Sequence, residues 1–412
     1  MRTQIVPILA KKFLLSKSSE KFLSLITWVS VLGITLGVLA LIVVTSVING
    51  FEGELQRVIT GMNGDVLFYS KAEPVGDPVG LEDKIRRTIR GVADMTPSLV
   101  TELMIGGPNG VAGAVLEGVD LTTLGKVTRI PDGVIEGRLA QADGEIAIAS
   151  VLANRIGAQL GTEVRLIFPF ISEQASSDQD SQNLGSPKIF KARVVGMVRM
   201  GMYEYDSKTL FAPLPSVQNW TGQIGKIKAF KIRLQPGVDS RTASDRLADN
   251  FGYPFRSKDW GQMNKNLFYA IRLEKAVISI ILTGIILVAA FNVVSTLMMM
   301  IHDKTREIAI LKAMGLRPGQ CFSLFAMIGL GIGGVGTAMG LGLGMGVLEM
   351  VKRFRWIQLP AEIYYISFLP VTMKWAEVCG ICGMAILVAL LATLYPAWNA
   401  ARNSPLDGLR YD

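Results

Sequence analysis

No charged side chain interrupts the chain between Ala276 and Ile301, a run of 26 residues. At ~1.5 Å per residue a helix of that length crosses a hydrocarbon layer of ~30 Å with some tilt. Three further uncharged runs, Phe22 to Phe51, Cys321 to Leu348 and Val378 to Ala401, have the same character. Backbone groups in lipid have no water to bond, so each run is expected to be a membrane helix. With half of its 412 residues hydrophobic, 18% charged and a mean hydropathy of +0.38, the chain is too apolar for an ordinary soluble enzyme.

Basic residues in the short flanks set the expected orientation. Arg2, Lys11, Lys12, Lys17 and Lys21 precede the first run; Lys304, Arg306, Lys312 and Arg317 lie between the second and third; Arg402 and Arg410 follow the fourth. These fall on one side, placed in the cytoplasm, against Lys352, Arg353, Arg355 and Lys374 on the other. The first run lacks a small-residue cleavage site near Asn49-Gly50 and is expected to stay as an anchor. Much of the net charge of +8 sits beside spans, so headgroup contact explains it better than nucleic acid does.

The second run leads into His302–Gly315, where Ile310, Leu311 and Met314 recur at helical spacing beside Lys304, Arg306, Glu307 and Lys312. Arg317-Pro318-Gly319 is expected to stop this segment. It is too polar to insert, and either rests on headgroups or docks a cytoplasmic partner. Gln4–Leu15 reads as a surface-lying stretch before the first run. Gly33 and Gly37 suit close helix packing, within one chain or between two. The third run is dense in glycine, which serves either packing or flexibility. Pro396 should kink or end the last run. Cys379-Gly-Ile-Cys382 has redox spacing but no second ligand pair, and reads as two small side chains in an apolar helix; no metal site is expected.

From Glu52 to about Glu274 the composition is that of a soluble α+β domain. Strands are expected at Asp65–Tyr69, Gly113–Val119, Gly144–Ala149, Glu163–Phe168, Lys191–Met197 and Ala229–Leu234. Helices are expected at Leu81–Arg90, at Val151–Gln159 closed by Gly161, at Val238–Phe251, and from Trp260 to Leu273 running unbroken into the second span. Pro169–Pro187 is rich in Ser, Gln, Asp and Asn and reads as a surface loop, for recognition or as a spacer.

No P-loop, HExxH or GxSxG motif appears, and the spans contain no acid or base for a proton relay. The chain is therefore expected to be non-catalytic, without a cofactor of its own and dependent on a partner for energy. His302–Gly315 is the natural docking place for that partner.

Several motifs then point to a family. Ser46-Val-Ile-Asn-Gly-Phe-Glu-Gly-Glu-Leu, Met202-x-Tyr-Glu-Tyr-Asp206, the run from Ala289 to Leu316, Ile363-Tyr-Tyr-Ile-Ser-Phe-Leu-Pro370 and Tyr395-Pro-Ala-Trp-Asn-Ala-Ala resemble the lipoprotein-releasing ABC transporter permeases of the LolC/LolE type. The resemblance covers nearly the whole chain. It implies a four-span bacterial inner-membrane permease with a large periplasmic α+β domain between the first and second spans. The segments it marks out are 1–21 (cytoplasmic), 22–48 (span), 49–268 (periplasmic), 269–301 (stalk and span), 302–320 (coupling helix), 321–348 (span), 349–377 (periplasmic loop), 378–397 (span) and 398–412 (tail).

The resemblance also implies partners: a LolD-like ATPase holding ATP and magnesium, a second permease copy or paralogue, a LolA-like periplasmic carrier, lipoprotein substrates and membrane lipid. Lys304, Glu307, Ile308, Ile310, Leu311, Lys312, Met314 and Gly315 would meet the ATPase. Arg165, Pro169, Phe170, Ile171, Pro187 and Lys188 would belong to a carrier-binding loop. This loop is longer and more polar than the LolC pattern, while Ile363–Pro370 looks more like LolE, and a chain with both traits resembles the single-permease variant LolF. Ala40, Val44, Val47, Ile48, Phe268 and Ile271 would line an apolar cavity for cargo, or else simply pack or face lipid. The rival expectations are a MacB-like exporter of peptides or drugs and an FtsX-like regulator of a cell-wall hydrolase.

Overall fold

The structure, a computed structural model, describes residues 21–169, 187–354 and 369–402, without the side chains of 21–26. Its helices in chain order are α1 (Lys21–Asn63), α2 (Pro78–Thr88), α3 (Leu121–Val127), α4 (Ser150–Ile156), α5 (Leu214–Thr221), α6 (Ser240–Phe251), α7 (Lys265–Asp303), α8 (Thr305–Ala313), α9 (Pro318–Phe354) and α10 (Trp375–Arg402), beside single turns. The strands are β1 (Val66–Ser70), β2 (Val92–Gly107), β3 (Gly110–Val119), β4 (Val134–Gly137), β5 (Glu145–Ala149), β6 (Glu163–Phe168), β7 (Lys188–Val198), β8 (Thr209–Pro213), β9 (Ala229–Leu234) and β10 (Phe255–Asp259). The chain divides into two compact units, one of Gly53–Phe268 and one of the residues up to Glu52 with most of those from Tyr269 onward.

In the first unit the strands form one mixed sheet, ordered β10-β1-β9-β2-β3-β8-β5-β7-β4, with β6 bridging β2 and β7. β2 is its spine: it pairs β9 along its first half, β3 along its second, and β6 near its end. The sequence reading places no strand here, because Pro97 interrupts the run. α2 and α6 set Leu81, Ile85, Ala243 and Leu247 on Phe68, Phe230 and Ile232. α4 and α5 cover the other half with Leu152, Ile156, Val217 and Trp220 on Leu99, Leu103, Leu116 and Ile146. α2 and α6 are capped by Asp77 and Asp239, which accept from Gly80 N and Thr242 N. α4 stops at Gly157 (φ +70°), not at Gly161 as expected, because Gly157 takes the left-handed cap.

α1 has no basic residue in its own last turn, so the carbonyls there need donors from elsewhere. β9 supplies them. Lys231 Nζ donates to Met62 O (2.9 Å) while paired with buried Glu117, and Arg233 donates to Thr60 O (3.1 Å) and pairs with Asp65. Two cations thus complement the negative end of the helix dipole.

In the second unit, α1, α7, α9 and α10 are each long and apolar enough to cross a membrane. Their seams are made of small residues. A β-carbon added at Gly33 or Gly37 would meet Ala289 or Ile286 on α7; at Gly333, Ala389 on α10; at Gly336, Gly340 or Gly344, the backbone or branched side chains of α1 between Val31 and Ile42. Packing is therefore what these glycines do, and Gly33 and Gly37 do it within one chain. Ser30 and Thr296 hydrogen-bond across the α1–α7 seam (3.0 Å).

Three local expectations are corrected. The helix expected from Trp260 into the second span starts later: Trp260–Met263 is a separate turn, Asn264 leaves helical geometry (φ −124°, ψ 49°), and from Lys265 α7 runs unbroken through the span. Pro318 does not stop the polar segment but opens α9, where a missing N–H costs nothing; Gly315 (φ +100°) makes the stop. Of the two outcomes expected at Pro396, an end of the last run is the one corrected: Pro396 lies inside α10, which continues to Arg402.

Candidate functional site

α8 forms where α7 breaks at Lys304, with Thr305 Oγ1 donating to Ile301 O (2.9 Å) and His302 O (2.7 Å). Ile308 is 5% exposed and belongs to the helical core with Ile301 and Cys321; Ala309 is buried beside it. The opposite side carries Ile310 at 46% and Met314 at 80% exposure, with Arg306 and Glu307 also exposed. Lys304 pairs with Glu307. Leu311 is half-buried, and exposed Gly315 takes the left-handed turn. Lys312 Nζ donates to Ala400 O (2.8 Å) and Ala401 O (3.2 Å), tying the segment to the last turn of α10. Two residues expected to face a partner are thus engaged within the chain. Ile308 is in the core because it completes the hydrophobic stripe, and Lys312 satisfies carbonyls a helix end leaves open. The surface presented outward is Ile310 and Met314 with Arg306 and Glu307.

In the α/β unit, β6 and β7 pair antiparallel from Glu163↔Arg193 to Phe168↔Lys188, so Pro169 and Pro187 stand at the open end of a hairpin. Pro169, Pro187 and Lys188 are exposed; Phe170 and Ile171 lie outside the described residues. Arg165 is exposed opposite Lys191, and Ile167 lies opposite Ile189. The same sheet rows continue through Met104 and Gly106 on β2 to Gly113 and Val111 on β3. Ile189, Met104 and Val111 are exposed apolar side chains there. The face beside the hairpin end therefore combines apolar area with the positive charge of Arg165, while Lys191 pairs with Glu163 (2.8 Å).

The Met202–Asp206 motif has a structural explanation. Asp206, 2% exposed, accepts from Met200 N (2.7 Å) and Gly201 N (3.1 Å). Burial raises its carboxyl pKa and those two amides oppose the rise. Tyr205 Oη accepts from Asn63 Nδ2 (3.0 Å), and burial raises its phenol pKa.

The residues expected to line a cargo cavity divide. On α1, Ala40, Val44, Val47 and Ile48 are half-buried. Phe268 is fully buried edge-on against Trp260 (5.1 Å), which takes it out of any open lining, and Ile271 on α7 is buried as well. The open apolar surface of α7 is instead Leu273, Val277, Ile280, Ile281, Leu287 and Val288.

A polar cluster that sequence reasoning missed lies at the end of the helical unit bearing Asn49. Lys275 Nζ pairs with Glu377 Oε1 (2.7 Å) and donates to Asn49 Oδ1 (2.9 Å), and Asn49 Nδ2 donates to Glu377 Oε2 (2.7 Å). The signal available was position: Lys275 and Glu377 each stand immediately before an uncharged run.

Two family models match the chain, an FtsX-like permease C-terminal region over residues 279–405 and a MacB-like periplasmic core domain over residues 27–250. The lipoprotein-releasing system transmembrane protein LolC of Xylella fastidiosa is 29% identical over 97% of either chain. The corresponding LolE protein of Haemophilus influenzae is 26% identical over 95% of this chain and 96% of its own. Among solved structures, the periplasmic region of MacB from Actinobacillus actinomycetemcomitans is similar at 15% identity and a TM-score of 0.32, over 52% of this chain and 97% of its own.

Proposed function

We infer what this chain does from what it is: it belongs to the family with a MacB-like periplasmic core domain, and end to end it is similar to the LolC and LolE permeases. It is a multi-pass membrane protein and a permease component of a lipoprotein-releasing ABC transporter. The observation that carries this reading is similarity along 97% of the chain, which includes both the helical and the α/β unit.

We propose the finer assignments as well, with the surfaces as their support. The chain sits in the bacterial inner membrane with its α/β unit in the periplasm. α8 seats in a separate LolD-like ATPase through Ile310 and Met314, and ATP hydrolysis belongs to that partner. A second permease, a copy or a LolC/LolE paralogue, completes the transporter. A LolA-like carrier docks at the β6–β7 hairpin end, where Arg165 offers positive charge beside Ile189 and Met104. Moving acyl chains out of hydrocarbon costs ~0.8 kcal/mol per CH₂, tens of kcal/mol for three chains, so release needs both an energy source and an apolar receiver.

Reconstituting the chain with its ATPase in vesicles and measuring ATP-dependent transfer of a triacylated lipoprotein to a soluble carrier tests the reading. Transfer supports it. A complex that hydrolyses ATP, leaves lipoprotein in the vesicle and co-purifies with an outer-membrane tunnel protein or a cell-wall hydrolase would replace it with the MacB-like or FtsX-like alternative.

A further inference from the structure

Asn49, Lys275 and Glu377 come from three different helices, α1, α7 and α10, and they close a ring. The ammonium serves the carboxylate and the amide oxygen, while the amide nitrogen serves the other carboxylate oxygen. Asn49 is 3% exposed, whereas Lys275 and Glu377 are about a third open. The backbone around Asn49 is shaped for this junction. Ser46 O accepts from Thr372 N (3.0 Å), and a β-carbon on Gly50 would strike the carbonyl oxygen of Pro370. The Ser46–Gly50 motif is therefore a seat for the strand of chain that enters α10, and only glycine permits that approach.

Packing explains why the ring matters. The seam between α7 and α1 is made by Ile286, Ala289 and Thr296, facing Gly37, Gly33 and Ser30. Toward the start of α7, Leu273, Val277, Ile280, Ile281 and Ile285 are exposed. In lipid such side chains lose nothing by facing tails, so hydrophobic burial does not fix the stretch between the buried Ile271 and Ile286. Lys275 does. Its place, at the boundary of an uncharged run, is dry enough to strengthen an ion pair yet close enough to water to solvate the partners when they separate.

We propose that Asn49, Lys275 and Glu377 form a latch that holds the start of α7 against α1 and α10, and that it opens and closes once per transport cycle. These are positioning residues; the proposal rests on the transporter reading above. Closed, the latch keeps α7 in place beside α1. Parted, it frees that end of α7 to swing about the glycine seam, the movement a cargo path alongside α7 requires.

The test uses the full chain with its ATPase in lipid vesicles. Cys321, Cys379 and Cys382 are replaced by alanine, and spin labels are placed on Ala276→Cys and Ala376→Cys, exposed positions beside the latch. Pulsed electron resonance then reads the distance between α7 and α10 without nucleotide and with the ATPase trapped by vanadate. The expected result is one resting distance, with a longer population raised about tenfold on trapping. Lys275→Met should show the longer population at rest and lose coupling between ATP hydrolysis and release. Exchanging the charges, Lys275→Glu with Glu377→Lys, should restore both, because the Asn49 amide can turn over to serve the reversed pair. An unchanged distance in both nucleotide states of the otherwise native latch overturns the proposal even if a variant fails to fold. So does an exchanged pair that behaves like Lys275→Met. The distance is read without cargo, so a latch that moves in a complex releasing no lipoprotein would refute the cargo assignment and leave the latch standing.

Discussion

Ile308 and Met314 are both apolar residues of one short segment, yet an aspartate at each should fail in a different way. Ile308 is 5% exposed within the helical core. Ile308→Asp removes ~2–3 kcal/mol of apolar burial and adds ~1–3 kcal/mol for a polar group without a partner. A loss of about 3–6 kcal/mol is a large part of the ~5–15 kcal/mol that holds a typical protein folded, so this variant should accumulate poorly. Met314 is 80% exposed, and Met314→Asp should change stability by no more than ~0.5 kcal/mol. If Met314 anchors the ATPase, losing it costs about 2–4 kcal/mol of association, roughly 30- to 1,000-fold in affinity. The assay is paired: thermal melting of the purified permease, and titration of the ATPase with its hydrolysis rate as readout. Met314→Asp should melt as the parent does and fail to stimulate hydrolysis. Native ATPase affinity in a normally folded Met314→Asp protein would remove α8 from the coupling surface and refute the division into inward and outward faces.

Three other outcomes follow. Gly333→Leu should disrupt the α9–α10 seam, where even a β-carbon comes within van der Waals distance of Ala389, and lower the melting temperature of the complex by more than Gly334→Leu, where the space is open. Arg165→Glu should weaken carrier capture in a pull-down at low salt, with a smaller difference at high salt, and leave ATPase binding unchanged. Glu145 is held at a pKa of about 2, first by its Arg138 side-chain bond and then by the amides of Gln141 and Ala142. The native state therefore binds this proton less readily than the unfolded chain, so the contribution is full above pH ~4.5 and disappears as pH falls toward 2. Arg138→Met should return the Glu145 titration midpoint toward the ordinary carboxylate range, read by carboxyl-selective NMR.

What the sequence disclosed depended on whether a local pattern carried the information. Four long uncharged runs announce four apolar helices, and alternation marks β3, β5, β6 and β9, because both signals are complete within a few residues. β2 has no such signal, since Pro97 and its polar neighbours break the alternation, although its pairing with β9 and β3 organises the sheet. Helical spacing shows that Ile308, Ile310, Leu311 and Met314 are apolar, but not which of them the chain's own core takes. The latch was the least legible. Asn49 and Glu377 are 328 positions apart, and next to an uncharged run a lone Lys or Glu looks like an ordinary flank charge.

The same structure also indicates which helix can move. α9 is joined to α1 and α10 by glycines so close that an added β-carbon would overlap its neighbours, and separating such seams forfeits dispersion contacts along their whole length. α7 near Lys275 is different: its large apolar side chains face outward, and lipid replaces any neighbour they lose at almost no cost. Were α8 to seat the ATPase as proposed, force arriving there would have two routes. It can pass into α10 through the Lys312 bonds to Ala400 and Ala401, or along α7 from Lys304. The first route meets a packed seam and displaces α10 together with α9. The second ends at a stretch of α7, between the buried Ile271 and Ile286, that the ring of Lys275, Glu377 and Asn49 holds. In the proposed latch the polar ring at Asn49 sets the threshold for motion of α7 on the Lys275 side of its own glycine seam with α1.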